Sequence, residues 1–145
     1  LSCDVRILAE SVRIGSIFIK RGISADFGAA YWLARIVGVG RAFELFYEGG
    51  LIDAQRALEI GLANKVVPDA ELIPEAMAMA RRIAEGPPMG YTTIRRMVID
   101  SVDAIDRGTF LEREMATQAV VLRSADAAEG FQSFLEKRPP KFTGN

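Results

Sequence analysis

The sequence predicts an α/β chain in two parts, short strands mixed with helices first and helices alone afterwards. Three observations carry this. β-branched residues alternate near the start, as in Val5-Arg6-Ile7-Leu8-Ala9 and Val12-Arg13-Ile14. A complete helix–turn–strand unit is specified locally between Asp53 and Pro68. Beyond Pro68, every periodic segment has helical spacing, so the chain divides into a mixed part, 1–70, and a helical part, 71–145.

Residues 4–21 read as two short strands with a turn near Glu10-Ser11, and Ile17-Phe18-Ile19 as a third extended piece. Residues 28–37 are small or apolar on nearly every side, the pattern of a helix buried all round. Gly38-Val39-Gly40 breaks it, and a second helix over 41–47 places Ala42, Leu45 and Phe46 on one face. Gly49 stops that helix through glycine's tolerance of positive φ. Asp53 is placed to cap a helix over 54–60, Gly61 to end it, and Asn64-Lys65-Val66-Val67 to form a strand closed by Pro68. Four helices follow, over 71–85, 91–101, 109–123 and 125–137, with breaks at Gly86-Pro87-Pro88 and Arg107-Gly108. Leu111, Met115, Ala119 and Leu122 make an apolar stripe, read as bundle core or subunit contact. Leu1 stands directly before a strand with no lead-in, so the chain is expected to be cut into rather than begun there.

Composition excludes several functions. With 18 basic and 19 acidic residues, the chain lacks the cationic excess of a nucleic-acid binder. No apolar run approaches the ~20 residues of a membrane helix, and no signal-peptide pattern opens the chain, so a cytoplasmic protein is expected. A single cysteine, Cys3, rules out an internal disulfide and reads as a small buried hydrophobe. The absence of histidine removes Ser-His-Asp and Cys-His catalysis and histidine-based zinc sites, which leaves acid–base work mainly to carboxylates. Neither a P-loop nor a G-x-G-x-x-G is present, and no metal is expected.

Three blocks together resemble the enoyl-CoA hydratase/isomerase (crotonase) superfamily. Cys3-Asp4-Val5-Arg6-Ile7-Leu8-Ala9-Glu10 is similar to the family's C-D-[IV]-R-[IV]-A-[AS]-E strand. Ser24-Ala25-Asp26-Phe27-Gly28, with Leu33-Ala34-Arg35-Ile36-Val37-Gly38 and Arg41-Ala42-Phe43-Glu44-Leu45, resembles the P-D-x-G…L-x-R-[IL]-[IV]-G…R-A-x-E-L region. The stretch from Ile52 to Pro68 carries A-x-x-A-L-x-x-G-L-[AV]-N-x-V-V-P, and the tail from Asp126 to Phe142 carries D-x-x-E-G followed by F-L-E-K-R and a proline-bearing exit. The likeness covers the second half of the family's pattern; its first half, with the CoA-binding loop and the two oxyanion-hole amides, has no counterpart in these residues.

The resemblance implies a partial crotonase-like ββα spiral followed by an all-helical C-terminal region that packs homotrimers or dimers of trimers. It also implies an acyl-CoA thioester substrate, an oxyanion-stabilised enolate, and no cofactor beyond the coenzyme A of the substrate. Hydratases of the family use two glutamates. The first aligns upstream of Leu1, and Phe18, which cannot transfer a proton, occupies the position of the second. Asp26 matches the aspartate that some isomerases of the family use, so isomerisation with Asp26 as acid/base is expected over hydration. Such a role needs a carboxyl held toward neutrality by Phe27, Ala29 and Trp32; the competing reading makes Asp26 a helix N-cap. Phe18, Tyr31 and Trp32 are candidates for the acyl pocket, with side-chain packing as their alternative. Phe134 and Lys137 match tail positions that approach coenzyme A, although Lys137 also suits a solvated helix end. Arg35 is expected to pair with a backbone group or a carboxylate. The alternative functions are a non-catalytic CoA-binding or oligomerisation module and an inactive fragment of a complete hydratase; the 145 residues alone are expected to be inactive.

Overall fold

The computed structural model describes residues 1–103 and 106–145. It forms two compact units, Leu1–Ala78 and Met79–Asn145.

The first unit is built on two pairs of three-residue strands. β1 (Ile7–Ala9) runs parallel to β4 (Lys65–Val67), with Ile7 opposite Lys65, whereas β2 (Arg13–Gly15) is antiparallel to β3 (Leu51–Asp53), with Gly15 opposite Leu51. The β1 end is fastened further by Asn64, whose side-chain oxygen accepts from the Arg6 amide at 2.9 Å, and by the Arg6 guanidinium, which donates to the Leu62 carbonyl at 2.6 Å. Arg13 and Gly15 of β2 are exposed while Ile14 faces inward, the alternation of a half-buried strand. Gly15 sits where two backbones touch: a Cβ there would overlap the Gly50 carbonyl oxygen and stand 3.1 Å from the Leu51 Cα.

Helices α1 (Ala29–Val37), α2 (Val39–Glu48) and α3 (Ala54–Glu59) complete this unit. Asp53 caps α3 as expected, accepting from the Arg56 amide at 2.7 Å, and Gly61 follows it with φ 78°. Gly49 ends α2 at φ 58°. The core gathers Leu33, Val37, Ala42, Ala57, Ile60, Leu62 and Ala63, so it lies between α1, α2 and the α3–β4 turn.

Four expectations need correction here. Ile17-Phe18-Ile19 is not extended: Phe18–Arg21 is a 3₁₀ turn closed by Gly22 at φ 68°. α1 is not buried all round, since only Leu33 and Val37 of its residues are buried. Gly38 alone separates α1 from α2, because the second helix begins at Val39. Cys3 is exposed rather than a buried hydrophobe.

Helix α4 (Leu72–Ala84) begins in the first unit and ends in the second, which also holds α5 (Pro88–Asp103), α6 (Arg107–Val121) and α7 (Ala125–Glu136). Arg107-Gly108 is the first turn of α6 rather than a break, because Asp106 caps it by accepting from Gly108 and Thr109 amides. That same pairing with Thr109 holds the Asp106 carboxyl below the usual carboxylate range. The stripe on α6 faces outward: Met115 is 73% exposed, and Leu111 and Leu122 are exposed as well. No described helix is long and apolar enough to cross a membrane.

The acidic tail motif is an intramolecular clasp. Lys137 leaves α7 in a left-handed conformation, φ 53°, and the chain doubles back along the helix. Asp126, 3% exposed, receives the Thr143 amide at 2.6 Å and the Gly144 amide at 2.9 Å, while its own amide donates to the Asn145 carbonyl. One turn on, Glu129 takes both terminal nitrogens of Arg138, at 2.6 and 2.9 Å, and the Lys141 amide at 2.8 Å. The fork geometry accounts for arginine at this position.

The clasp is sensitive to acid. The Arg138 guanidinium, first, and the Lys141 amide pull the Glu129 carboxyl from 4.5 down to about 2. A group depressed on folding stabilises the folded tail above its unfolded value, and that contribution fades as pH falls from 4.5 toward 2. Hydrogen exchange at the Lys141 amide is therefore expected to accelerate across that interval beyond the intrinsic pH trend. Glu129→Gln should remove the extra dependence; identical profiles for the two proteins would refute the assignment.

Candidate functional site

A cavity of about 230 Å³ lies within the first unit. Ile14 and Ser16 enter it from β2 and its exit, Phe18 from the 3₁₀ turn, Leu33 from α1, Phe46 from α2 and Ile52 from β3. Its wall is therefore apolar apart from one side chain. Among the described residues, Ser16 Oγ is buried without a hydrogen-bond partner. The volume exceeds the roughly 150 Å³ of an apolar cavity that takes benzene.

The loop leading to α1 adjoins this cavity. The Ile23 amide donates to the Phe18 carbonyl at 3.2 Å, and the Ala29 amide, on a residue that also lines the cavity, donates to the Asp26 carbonyl at 2.9 Å. Phe27 and Gly28 are both left-handed, at φ 49° and 74°. Such a conformation is costly for a bulky side chain, and Phe27 gains no burial from it, being 99% exposed. Asp26 itself is exposed.

This geometry corrects the N-cap reading of Asp26. Gly28 occupies the N-cap position of α1, and no side chain caps that helix. It also corrects the expected enclosure of Asp26 by Phe27, which faces solvent, although Trp32 is half-buried and closely approaches Gly28. Tyr31 and Trp32 are not among the residues lining the cavity, while Phe18 is. Tyr31 meets Trp32 edge to face at 5.0 Å and carries the Arg35 guanidinium 3.5 Å above its ring. Arg35 also donates to the Tyr31 carbonyl at 3.4 Å, the backbone pairing expected for it.

Phe134 and Lys137 lie in the second unit at the end of α7, where the Lys137 amide donates to the Phe134 carbonyl. Phe134 is 81% exposed and borders a largely apolar groove of about 530 Å³ shared with Phe131, Phe142 and Met89. Among the described residues, no three histidine, cysteine or acidic side chains group in a way that would hold a metal. Sequence reasoning missed two features of these units: the lone hydroxyl of Ser16 in the apolar wall, and the anchoring role of Asp126 and Glu129.

Comparison with known proteins places the arrangement. The model of the enoyl-CoA hydratase/isomerase family matches residues 1–145. The chain belongs to that family.

As a member of the enoyl-CoA hydratase/isomerase family, it is 38% identical over 144 residues to an enoyl-CoA hydratase of Alternaria alternata, with 98% of this chain and 48% of the relative covered. It is 36% identical over 144 residues to the 1,2-epoxyphenylacetyl-CoA isomerase of Escherichia coli strain K12, covering 99% of this chain and 55% of that protein. The crystal structure of an enoyl-CoA hydratase from Bacillus anthracis superposes with a TM-score of 0.94 at 36% identity, over 99% of this chain and 55% of that one. The fold is thus a partial crotonase spiral with a helical C-terminal region. The chain spans about half the length of the curated relatives it matches.

Proposed function

We propose that the protein carrying this chain is an acyl-CoA isomerase of the enoyl-CoA hydratase/isomerase family, with Asp26 as its acid/base. The observation that carries this reading is Phe18 in the cavity wall, where a hydratase needs a carboxylate, with Asp26 exposed on the adjoining loop, which is hydrogen-bonded to both Phe18's turn and α1. The similarity to a relative named as an isomerase supports it.

In this reading the Asp26 carboxylate removes a proton from the carbon next to the thioester carbonyl, and the electron pair moves onto the carbonyl oxygen as an enolate. Asp26 then returns the proton two carbons further along, so the double bond shifts and no water is consumed. Phe18 serves as acyl-pocket wall, with Tyr31 and Trp32 at the loop side of the acyl group. Phe134 and Lys137 contact coenzyme A, which enters as part of the substrate, and no separate cofactor is required. A cytoplasmic trimer or dimer of trimers completes the proposal, and the exposed apolar stripe on α6 supports such a contact.

The test is a panel of enoyl-CoA thioesters offered to the full-length natural protein. Double-bond migration without hydration of crotonyl-CoA is expected. Hydration undiminished in Asp26→Asn would overturn the reading. Phe18 in place of a carboxylate also favours a second reading, a non-catalytic CoA-binding module; calorimetric CoA binding with no turnover across the panel would establish that instead.

A further inference from the structure

We propose that Ser16 is a specificity-determining residue that selects acyl groups bearing an oxygen substituent, a hydroxyl or a carbonyl. This rests on the acyl-CoA reading above and adds the class of acyl group. The cavity is otherwise walled by Ile, Leu, Phe, Ala and Gly side chains or backbone, and a purely apolar guest would be served by an apolar residue at position 16. Ser16, 8% exposed as a residue, instead presents a hydroxyl whose buried Oγ has no partner among the described residues.

A buried hydroxyl without a partner is unfavourable, and a guest that satisfies it is preferred over an isostere that does not. The discrimination is one-sided: a site that hydrogen-bonds a substrate oxygen rejects the deoxy analogue strongly, whereas an apolar wall discriminates weakly against an added hydroxyl. Ser16 shares the cavity lining with Phe18, Leu33 and Phe46, and Gly15 before it is packed against the Gly50–Leu51 backbone. With about 230 Å³ available, the guest is ring-sized or a medium-length chain. A serine hydroxyl both donates and accepts, which admits either a carbonyl or a hydroxyl on the guest.

The experiment measures binding by calorimetry on the full-length natural protein, with hexanoyl-CoA, its positional series of monohydroxyhexanoyl-CoA thioesters, and phenylacetyl-CoA beside its hydroxyphenylacetyl-CoA isomers. At least one oxygenated member is expected to bind about tenfold tighter than its deoxy partner. Ser16→Ala should erase that preference by weakening the oxygenated member relative to its deoxy partner, and Ser16→Thr, which keeps the hydroxyl, should retain it. The proposal is overturned if no oxygenated thioester is preferred, if the preference survives Ser16→Ala, or if Ser16→Ala weakens both members of a pair equally. Its failure leaves hexanoyl-CoA bound. If no acyl-CoA binds at all, the acyl-CoA reading itself has failed.

Discussion

Asp26→Asn in the full-length protein is expected to lower kcat for double-bond migration by about a hundred- to ten-thousandfold, roughly 3–5 kcal/mol of barrier, with KM little changed. Asparagine keeps the size of the side chain and removes its ability to carry a proton between two carbons. The loss should therefore fall on the chemical step rather than on binding. The fold makes this substitution informative. Asp26 is exposed, and Gly28 rather than Asp26 holds the N-cap position of α1, so stability should stay within about 0.5 kcal/mol of the parent. Steady-state kinetics with a denaturation curve on the same preparation checks both halves; unchanged kcat would remove Asp26 from the mechanism.

Gly15→Ala is expected to destabilise the protein by about 3 kcal/mol in chemical denaturation. The reason is close approach rather than backbone conformation. The new methyl would overlap the Gly50 carbonyl oxygen, and the atoms behind it, the Gly50 carbonyl carbon at 3.0 Å and the Leu51 Cα at 3.1 Å, are all backbone with no rotamer to give way. Relief requires β2 and β3 to part, which breaks the register between Gly15 and Leu51 and shifts both Ser16 and Ile52 in the cavity wall. Weaker acyl-CoA binding should accompany the lost stability. A variant as stable as the parent would show that the two strands are not packed this closely.

The elements that could be read from sequence were those whose signals are local. Asp53, Gly61 and the strand before Pro68 lie within a few residues of what they specify, and each is found in place. Gly49 stops α2 for the same reason. Ile17-Phe18-Ile19 was misleading because a short apolar run has no period to separate strand from turn, and the 3₁₀ turn is set by hydrogen bonds to Ile17 and Phe18 carbonyls and by Gly22 beyond it. The apolar composition of α1 likewise did not determine which faces are covered: Leu33 and Val37 turn toward α2 and the α3–β4 turn, while Tyr31 stays exposed.

At the candidate site, the placement of Phe18 in a pocket wall could be anticipated, since its side chain fills apolar space wherever the chain folds. The loose ends were tertiary. That Ser16 Oγ has no partner among the described residues is visible only when its surroundings are assembled. The clasp depends on Lys137 adopting a left-handed conformation usually given to glycine, so the reversal that brings Lys141 and Thr143 back to Glu129 and Asp126 left no glycine signal. The motif marked the family without disclosing its mechanical role.

The pairing of β1 with β4 has a consequence for the order of events at synthesis. Ile7 meets Lys65 and the Arg6 amide meets Asn64 across a separation of 58 residues. At ~5–20 residues per second, translation leaves the first strand without its partner for roughly 3–12 s, and closing so long a loop then costs about 4 kcal/mol in chain entropy. Nascent β1 spends that time as an open edge. Its three-residue length, with the exposed Glu10 and the Ser11 turn directly after it, keeps that edge too short to template another chain while it waits.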